Sequence, residues 1–185
     1  MNLPPDAAER LDAARAPARH RAEILAGLIP SPALNEVVCW WQDPRRPTFL
    51  VLTGSVGVGK TTAACLALAL APNGLFAPAA ALARIGRYKE ADAREWHEMI
   101  RSIPLVVDDL GTEPLDAGGW VLSLWDELIE ERYCEDLATV VTTNLTATAL
   151  ATRYRARIAD RFRSVARIVS IAGPSRRKTL EDPDA

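Results

Sequence analysis

No apolar run in the 185-residue chain is long enough to cross a bilayer. The charged, Ala-rich residues 1–15 also lack the apolar core of a secretory signal. Both absences point to a cytoplasmic protein with no membrane partner. Cysteine is scarce: Cys39, Cys65 and Cys134 are far apart, match no metal-ligand spacing and leave an odd count, so they read as reduced core residues. Charge of one sign is lacking too. A formal net charge of −2 excludes a polycation, so any nucleic-acid contact must come from a local patch. There is no internal repeat and no low-complexity segment. What remains is ordinary globular composition, 49% apolar and 25% charged, enough for one domain with a sizeable core.

One stretch organises the rest. Gly54, Ser55, Val56, Gly57, Val58, Gly59, Lys60 and Thr61 satisfy G-x-x-x-x-G-K-[ST] at every required position. An apolar run at residues 48–52 precedes it, and an Ala/Leu-rich helical segment starting with Thr62 follows. Glycines let backbone N–H groups curl round an anion, and the helix N-terminus adds its dipole. Lys60 can reach β- and γ-phosphates, and the Thr61 hydroxyl can ligate Mg²⁺. The expected ligand is a nucleoside triphosphate.

Apolar periodicity and turn residues divide the chain into alternating elements. Helical pieces are expected at 6–16, with Asp6 as N-cap, at 18–28 with Ile24, Leu25 and Leu28 on one face, and at 34–41. Trp40 and Trp41 read as core packing or surface cover near the nucleotide, with base stacking as the alternative. The first strand is 48–53 and its helix 60–71, followed by a short strand at 75–77. A helix over 79–99, broken near 86–92, carries Trp96 and Met99 inward, with His97 a surface or packing residue. Residues 103–107 form a continuous apolar run, as expected of a strand buried on both faces. Residues 118–134 form a helix with Val121, Leu124, Trp125, Leu128 and Ile129 inward. A strand at 137–141, helical pieces at 147–151 and 158–163, and a strand at 167–171 complete the pattern.

Alternation of this kind implies an open, mainly parallel sheet with helices on both faces, with ligands at the carboxyl ends of its strands. That rule gathers the loop, Asp108, Asp109 and Asn144 at one edge. Asp108 suits a metal held through water, and Asp109 suits orientation or deprotonation of an attacking water. Asn144 can hydrogen-bond a γ-phosphate or that water, although Thr-Asn at a strand end is also common turn chemistry. The C-terminal quarter is locally basic through Arg153, Arg155, Arg157, Arg161, Arg163, Arg167, Arg176, Arg177 and Lys178. A solvated face, a nucleic-acid backbone contact around Arg153 and Arg155, and a phosphoryl-stabilising arginine are the three readings of it.

The ordered set of motifs over residues 29–177 resembles the DnaC/IstB-type helicase-loader branch of the AAA+ ATPases. The set comprises Walker A at 54–61, Leu-Val-Val-Asp-Asp-Leu-Gly-Thr-Glu at 105–113, Val-Thr-Thr-Asn-Leu at 141–145, Arg-Ile-Ala-Asp-Arg-Phe at 157–162, and the closing Gly-Pro-Ser-Arg at 173–176. The resemblance implies an α/β, three-layer P-loop core with a five-stranded sheet in the order 5-1-4-3-2. It also implies ATP with Mg²⁺ bound between neighbouring subunits, and no full helical lid. By the motif match, Arg161 is a finger offered to the next subunit, Arg157 a supporting or DNA-facing residue, and Arg176 a group approaching the nucleotide. The division expected is a short helical segment at 1–28, an ATPase core at 29–173 and a polar basic tail at 174–185. The partners implied are single-stranded DNA, a replicative helicase or, in the IstB branch, a transposase. A P-loop small-molecule kinase and a non-hydrolysing ATP-switched adaptor are the rivals from other classes.

Overall fold

The computed structural model describes residues 3–87, 93–154 and 156–176. Five strands form the central sheet: β1 (Phe49–Gly54), β2 (Leu75–Pro78), β3 (Leu105–Asp108), β4 (Thr139–Thr143) and β5 (Ala166–Ile171). Their order is β2-β3-β4-β1-β5, and every pairing is parallel. This is the expected order read from the other edge. β1 lies between β4 and β5, with Val51 opposite both Val141 and Ile168.

The two-residue period of the strands sorts side chains onto two faces. Leu50, Leu52, Val106 and Val140 join one apolar cluster, covered by α1 (Ala7–Ala13), α2 (Ala18–Leu25), α3 (Pro32–Gln42) and α4 (Lys60–Leu70). Phe49, Val51, Leu105, Val107 and Val141 join the other. That side is covered by α5 (Ala79–Arg87), α6 (Ala93–Arg101), α7 (Trp120–Cys134), α8 (Ala147–Arg153) and α9 (Ala156–Val165). Because α4 is wedged between the sheet and α1–α3, Ala63 through Ala69 are all buried, and the helix is apolar all round.

Several local expectations change. Asp6 stands at the N-cap of α1 as expected, but its side chain makes no capping bond; its carboxylate instead accepts Arg10 Nε at 2.8 Å one turn later. On α2, Ile24 is buried but Leu25 is 49% exposed, because the helix turns its polar Arg19–His20–Glu23 side toward α4. Cys65 alone is a core cysteine; Cys39 and Cys134 are exposed. Trp96, Met99 and the five inward residues of α7 are buried as expected, and His97 is exposed. Trp40 is fully buried and donates Nε1–H to Pro47 O at 2.8 Å, so it packs rather than offering a free face. Arg155, Arg177 and Lys178, and the side chain of Arg157, lie outside the described residues.

α7 also carries a charge into the core. Arg132 is fully buried and donates to the carbonyls of Ile100 at 2.6 Å, Ser102 at 2.9 Å and Ala138 at 2.8 Å. Its Nε donates to Thr139 Oγ1 at 2.7 Å. One planar guanidinium thus ties the end of α6 and the entrance to β4 onto α7. Burial lowers its pKa to about 9, which leaves it protonated at neutral pH.

Candidate functional site

The loop between β1 and α4 is shaped by contact with the chain's own C-terminal segment. Gly57 has φ 88°, and a Cβ there would stand 2.2 Å from Ser175 Oγ. Gly57 O accepts the Arg176 backbone N–H at 2.8 Å. Only glycine fits both the turn and that approach. The loop ends with Gly59 in a left-handed conformation, after which α4 begins at Lys60. The first N–H groups of a helix have no intrahelical partner, so this end of α4 is an anion site by construction.

A cavity of about 620 Å³ opens over this helix end. Val56, Gly57, Gly59, Lys60, Thr61 and Thr62 form its floor, and Asp109 and Asn144 one end. Val58 instead points into the core, while Gly54 and Ser55 contribute carbonyls. Lys60 is buried, and its Nζ donates at 2.8 Å to each of Gly54 O, Ser55 O and Asn144 Oδ1. Residues 84 apart in sequence are therefore joined directly at the end of the cavity. Arg176 lines the same cavity, as its motif position implied.

The acidic pair is held by β4. Thr142 donates its hydroxyl to Asp108 Oδ1 at 2.7 Å and accepts the Asp109 N–H at 3.0 Å. Leu110 N–H donates to Thr142 O at 2.9 Å, and Thr143 Oγ1 donates to Leu110 O at 2.6 Å. This grip holds Asp109 at φ 54°, a conformation that costs energy for a non-glycine residue and aims successive carboxylates differently. The same loop is latched from below. Glu113, 1% exposed, accepts Gly111 N–H at 2.9 Å and the Tyr154 hydroxyl. Arg153 Nε lies 3.8 Å from that carboxylate. Arg153, expected to face DNA, is thus turned inward onto Glu113.

Burial pushes the Asp108 carboxyl above its usual range, and neighbouring Asp109 adds to this; hydrogen bonds from Thr142 and Thr61 oppose it without cancelling it. Thr61 and Asp108 are therefore paired hard-oxygen donors. Such donors fit Mg²⁺, which takes one or two protein oxygens and keeps several waters. An acid whose pKa is raised on folding destabilises the protein once ionised. That penalty is complete above the folded pKa and fades as pH falls toward the unfolded value. In Mg²⁺-free buffer, Asp108→Asn is expected to melt at a higher temperature than wild type at pH 7. The gap should narrow on acidification; an unchanged or lower melting point at pH 7 would contradict this electrostatic picture.

The remaining wall could not be read from the sequence. Arg19, His20 and Glu23 of α2 line it, as do Ala26, Leu28, Ile29 and Leu34. Glu23 Oε2 accepts the Thr62 hydroxyl at 2.8 Å, and His20 Nδ1 lies 2.9 Å from Thr62 Oγ1. The only signal was the i, i+3 spacing of His20 and Glu23, which any solvated helix face shares.

Arg161 does not join the cavity. Its Nε and Nη2 donate to the two Glu130 carboxylate oxygens at 2.9 and 3.0 Å, and its guanidinium sits 4.4 Å from the Tyr133 ring centroid. Among the described residues, no group of three or more His, Cys, Asp or Glu is arranged to hold a metal, and no helix is long and apolar enough to cross a membrane.

The sequence pattern of a protein family described as IstB-like ATP binding protein matches residues 40–182. Solved structures share the fold. The DnaC helicase loader superposes with a TM-score of 0.69 at 22% identity, covering 84% of this chain and 100% of that one. DnaI gives a TM-score of 0.61 at 24% identity over 91% and 93% of the two chains. The replication initiator DnaA bound to AMPPCP and single-stranded DNA gives 0.64 at 17% identity over 81% and 50%. A search of curated proteins found no match.

Proposed function

The chain belongs to the family of IstB-like ATP binding proteins, and from that premise we propose that it hydrolyses ATP and assembles on single-stranded DNA. The observation that carries the proposal is the convergence of Lys60, Thr61, Asp109 and Asn144 on one cavity at the N-terminus of α4, with Asp108 bonded behind them. The phosphates lie along the loop and the first turn of α4, with Lys60 at the β- and γ-groups. Thr61 and Asp108 would hold Mg²⁺, which would neutralise charge on the phosphates. Asp109 takes the proton of the attacking water. Asn144 exchanges its bond to Lys60 for one to the water or the γ-phosphate, and Arg176 adds a positive charge from the same subunit. Arg161 acts on the site of a neighbouring copy. Domain by domain, residues 29–173 form the ATPase core, flanked by 1–28 and 174–185.

The partner is single-stranded DNA, a replicative helicase or a transposase. The family match favours the transposition helper among the alternatives to helicase loading. With Arg153 engaged by Glu113, the DNA contact falls on exposed cations such as Arg163.

Two substitutions separate the roles. Lys60→Ala is expected to weaken ATP binding about 10-fold or more, as loss of a charged hydrogen-bond donor does. Asp109→Asn should bind ATP nearly as wild type does but hydrolyse it about 10²-fold more slowly, because it removes only the base. Calorimetric titration with steady-state turnover reads both. Equal losses of affinity in the two variants would overturn the assignment.

A further inference from the structure

Building on the reading of this cavity as an ATP site, we infer that Glu23 is a ribose-binding residue that makes the site selective for ribonucleotides. Three observations place it there. The floor, formed by Val56, Gly57 and residues 59–62 at the N-terminus of α4, is where the ATP-site reading puts the phosphates, and Thr62 is its last member. Beyond it the wall is apolar, with Ala26, Leu28, Ile29 and Leu34 offering a surface suited to a base. Glu23 lines the cavity against the first, its carboxylate docked on Thr62 at 2.8 Å, and it lies three residues before Ala26 on the stretch of chain that supplies the second. In a nucleotide, the part between phosphate and base is the sugar.

The chemistry agrees with the placement. A carboxylate repels phosphate oxygens, so a carboxylate lining this cavity belongs against the hydroxyl-bearing part of the ligand. Carboxylates accept ribose hydroxyls in other nucleotide sites for the same reason. Glu23 stays an acceptor: partial burial raises its pKa, but bonds from Thr62 and Arg19 and the positive character of His20 outweigh this and hold it below its usual value. Two lone-pair directions are taken, by Thr62 at 2.8 Å and by Arg19 Nε at 3.0 Å. A carboxylate has about four, which leaves two for the sugar. The single Thr62 proton goes to Glu23, so the 2.9 Å contact from His20 Nδ1 must be an N–H donated to Thr62. His20 is thus a positioning residue that orients the Thr62 hydroxyl toward Glu23.

Calorimetric titration of the full chain with Mg²⁺ and four probes tests this: ATP, 2′-deoxy-ATP, 3′-deoxy-ATP and inorganic tripolyphosphate. Wild type is expected to bind at least one deoxy analogue about 10-fold more weakly than ATP, the loss that follows removal of a hydrogen bond to a charged group. Glu23→Ala should lose affinity for ATP by a similar factor, bind ATP and the deoxy analogues alike, and keep its affinity for tripolyphosphate. Equal binding of all three nucleotides by wild type would overturn the inference without recourse to any variant. So would unchanged discrimination in Glu23→Ala, or a loss of tripolyphosphate binding as large as that of ATP, which would mark Glu23 as a support for the loop. If wild type binds neither ATP nor tripolyphosphate, the ATP-site reading fails and this inference with it.

Discussion

Arg161→Ala is expected to bind ATP as wild type does and to hydrolyse it about 10³-fold more slowly, the lower end of what loss of a phosphoryl-stabilising arginine costs. The Arg161 side chain projects from α9 onto α7, in a two-pronged bond to Glu130 and above the Tyr133 ring, away from the cavity of its own subunit. The Glu130 hydrogen bonds raise its pKa further, so it is a permanent cation. A rate effect without an affinity effect is what a finger acting on a neighbour's nucleotide would produce. Mixing separates the cases. In mixed assemblies, the Arg161→Ala subunit contributes an intact pocket and the Lys60→Ala subunit an intact arginine, so turnover should return although neither variant works alone. No recovery in mixtures shown to co-assemble would confine Arg161 to its own subunit or to the α7–α9 contact.

Arg132→Ala should cost stability rather than chemistry. Its guanidinium satisfies carbonyls on the α6 terminus and before β4, and cutting the side chain back removes the donor from each of them. Each buried acceptor left unpaired costs about 1–3 kcal/mol, so losing several together is expected to cost about 3–5 kcal/mol. In a chain of this size that is a melting-temperature drop on the order of 10 °C. Arg132→Lys should recover only part of it, since an ammonium cannot reproduce the planar fork. A loss within about 1 kcal/mol in denaturant titration would show that neighbouring groups re-pair the freed carbonyls.

Elements whose pattern is set by local physics could be read from the chain alone. The Gly-rich loop, the doubly buried run before Asp108 and the strand ending at Asn144 each have a signature within a dozen residues. Parallel topology brings their ends together, and the structure does so. What escaped depends on contacts across long separations. Nothing near Arg132 marks it as internal, because its partners lie up to 33 residues away on another helix. Glu113 and Tyr154 are 41 residues apart, and neither looks like half of a buried pair. Nor does α2 announce that its polar side meets Thr62, 39 residues on from Glu23. The exposure of Leu25 escapes for the same reason. Leu25 fits an apolar stripe with Ile24 and Leu28, but the helix is rotated by its polar contacts with α4.

ATP turnover per subunit, followed across protein concentration with and without single-stranded DNA and paired with the mass of the assemblies formed, bears most directly on the account. Turnover should rise with concentration as larger assemblies appear. Single-stranded DNA should raise it at a given concentration, less so as salt screens the phosphate contacts. Turnover per subunit that stays flat across concentration, with the protein monomeric and indifferent to DNA, would contradict an ATPase completed by its neighbour.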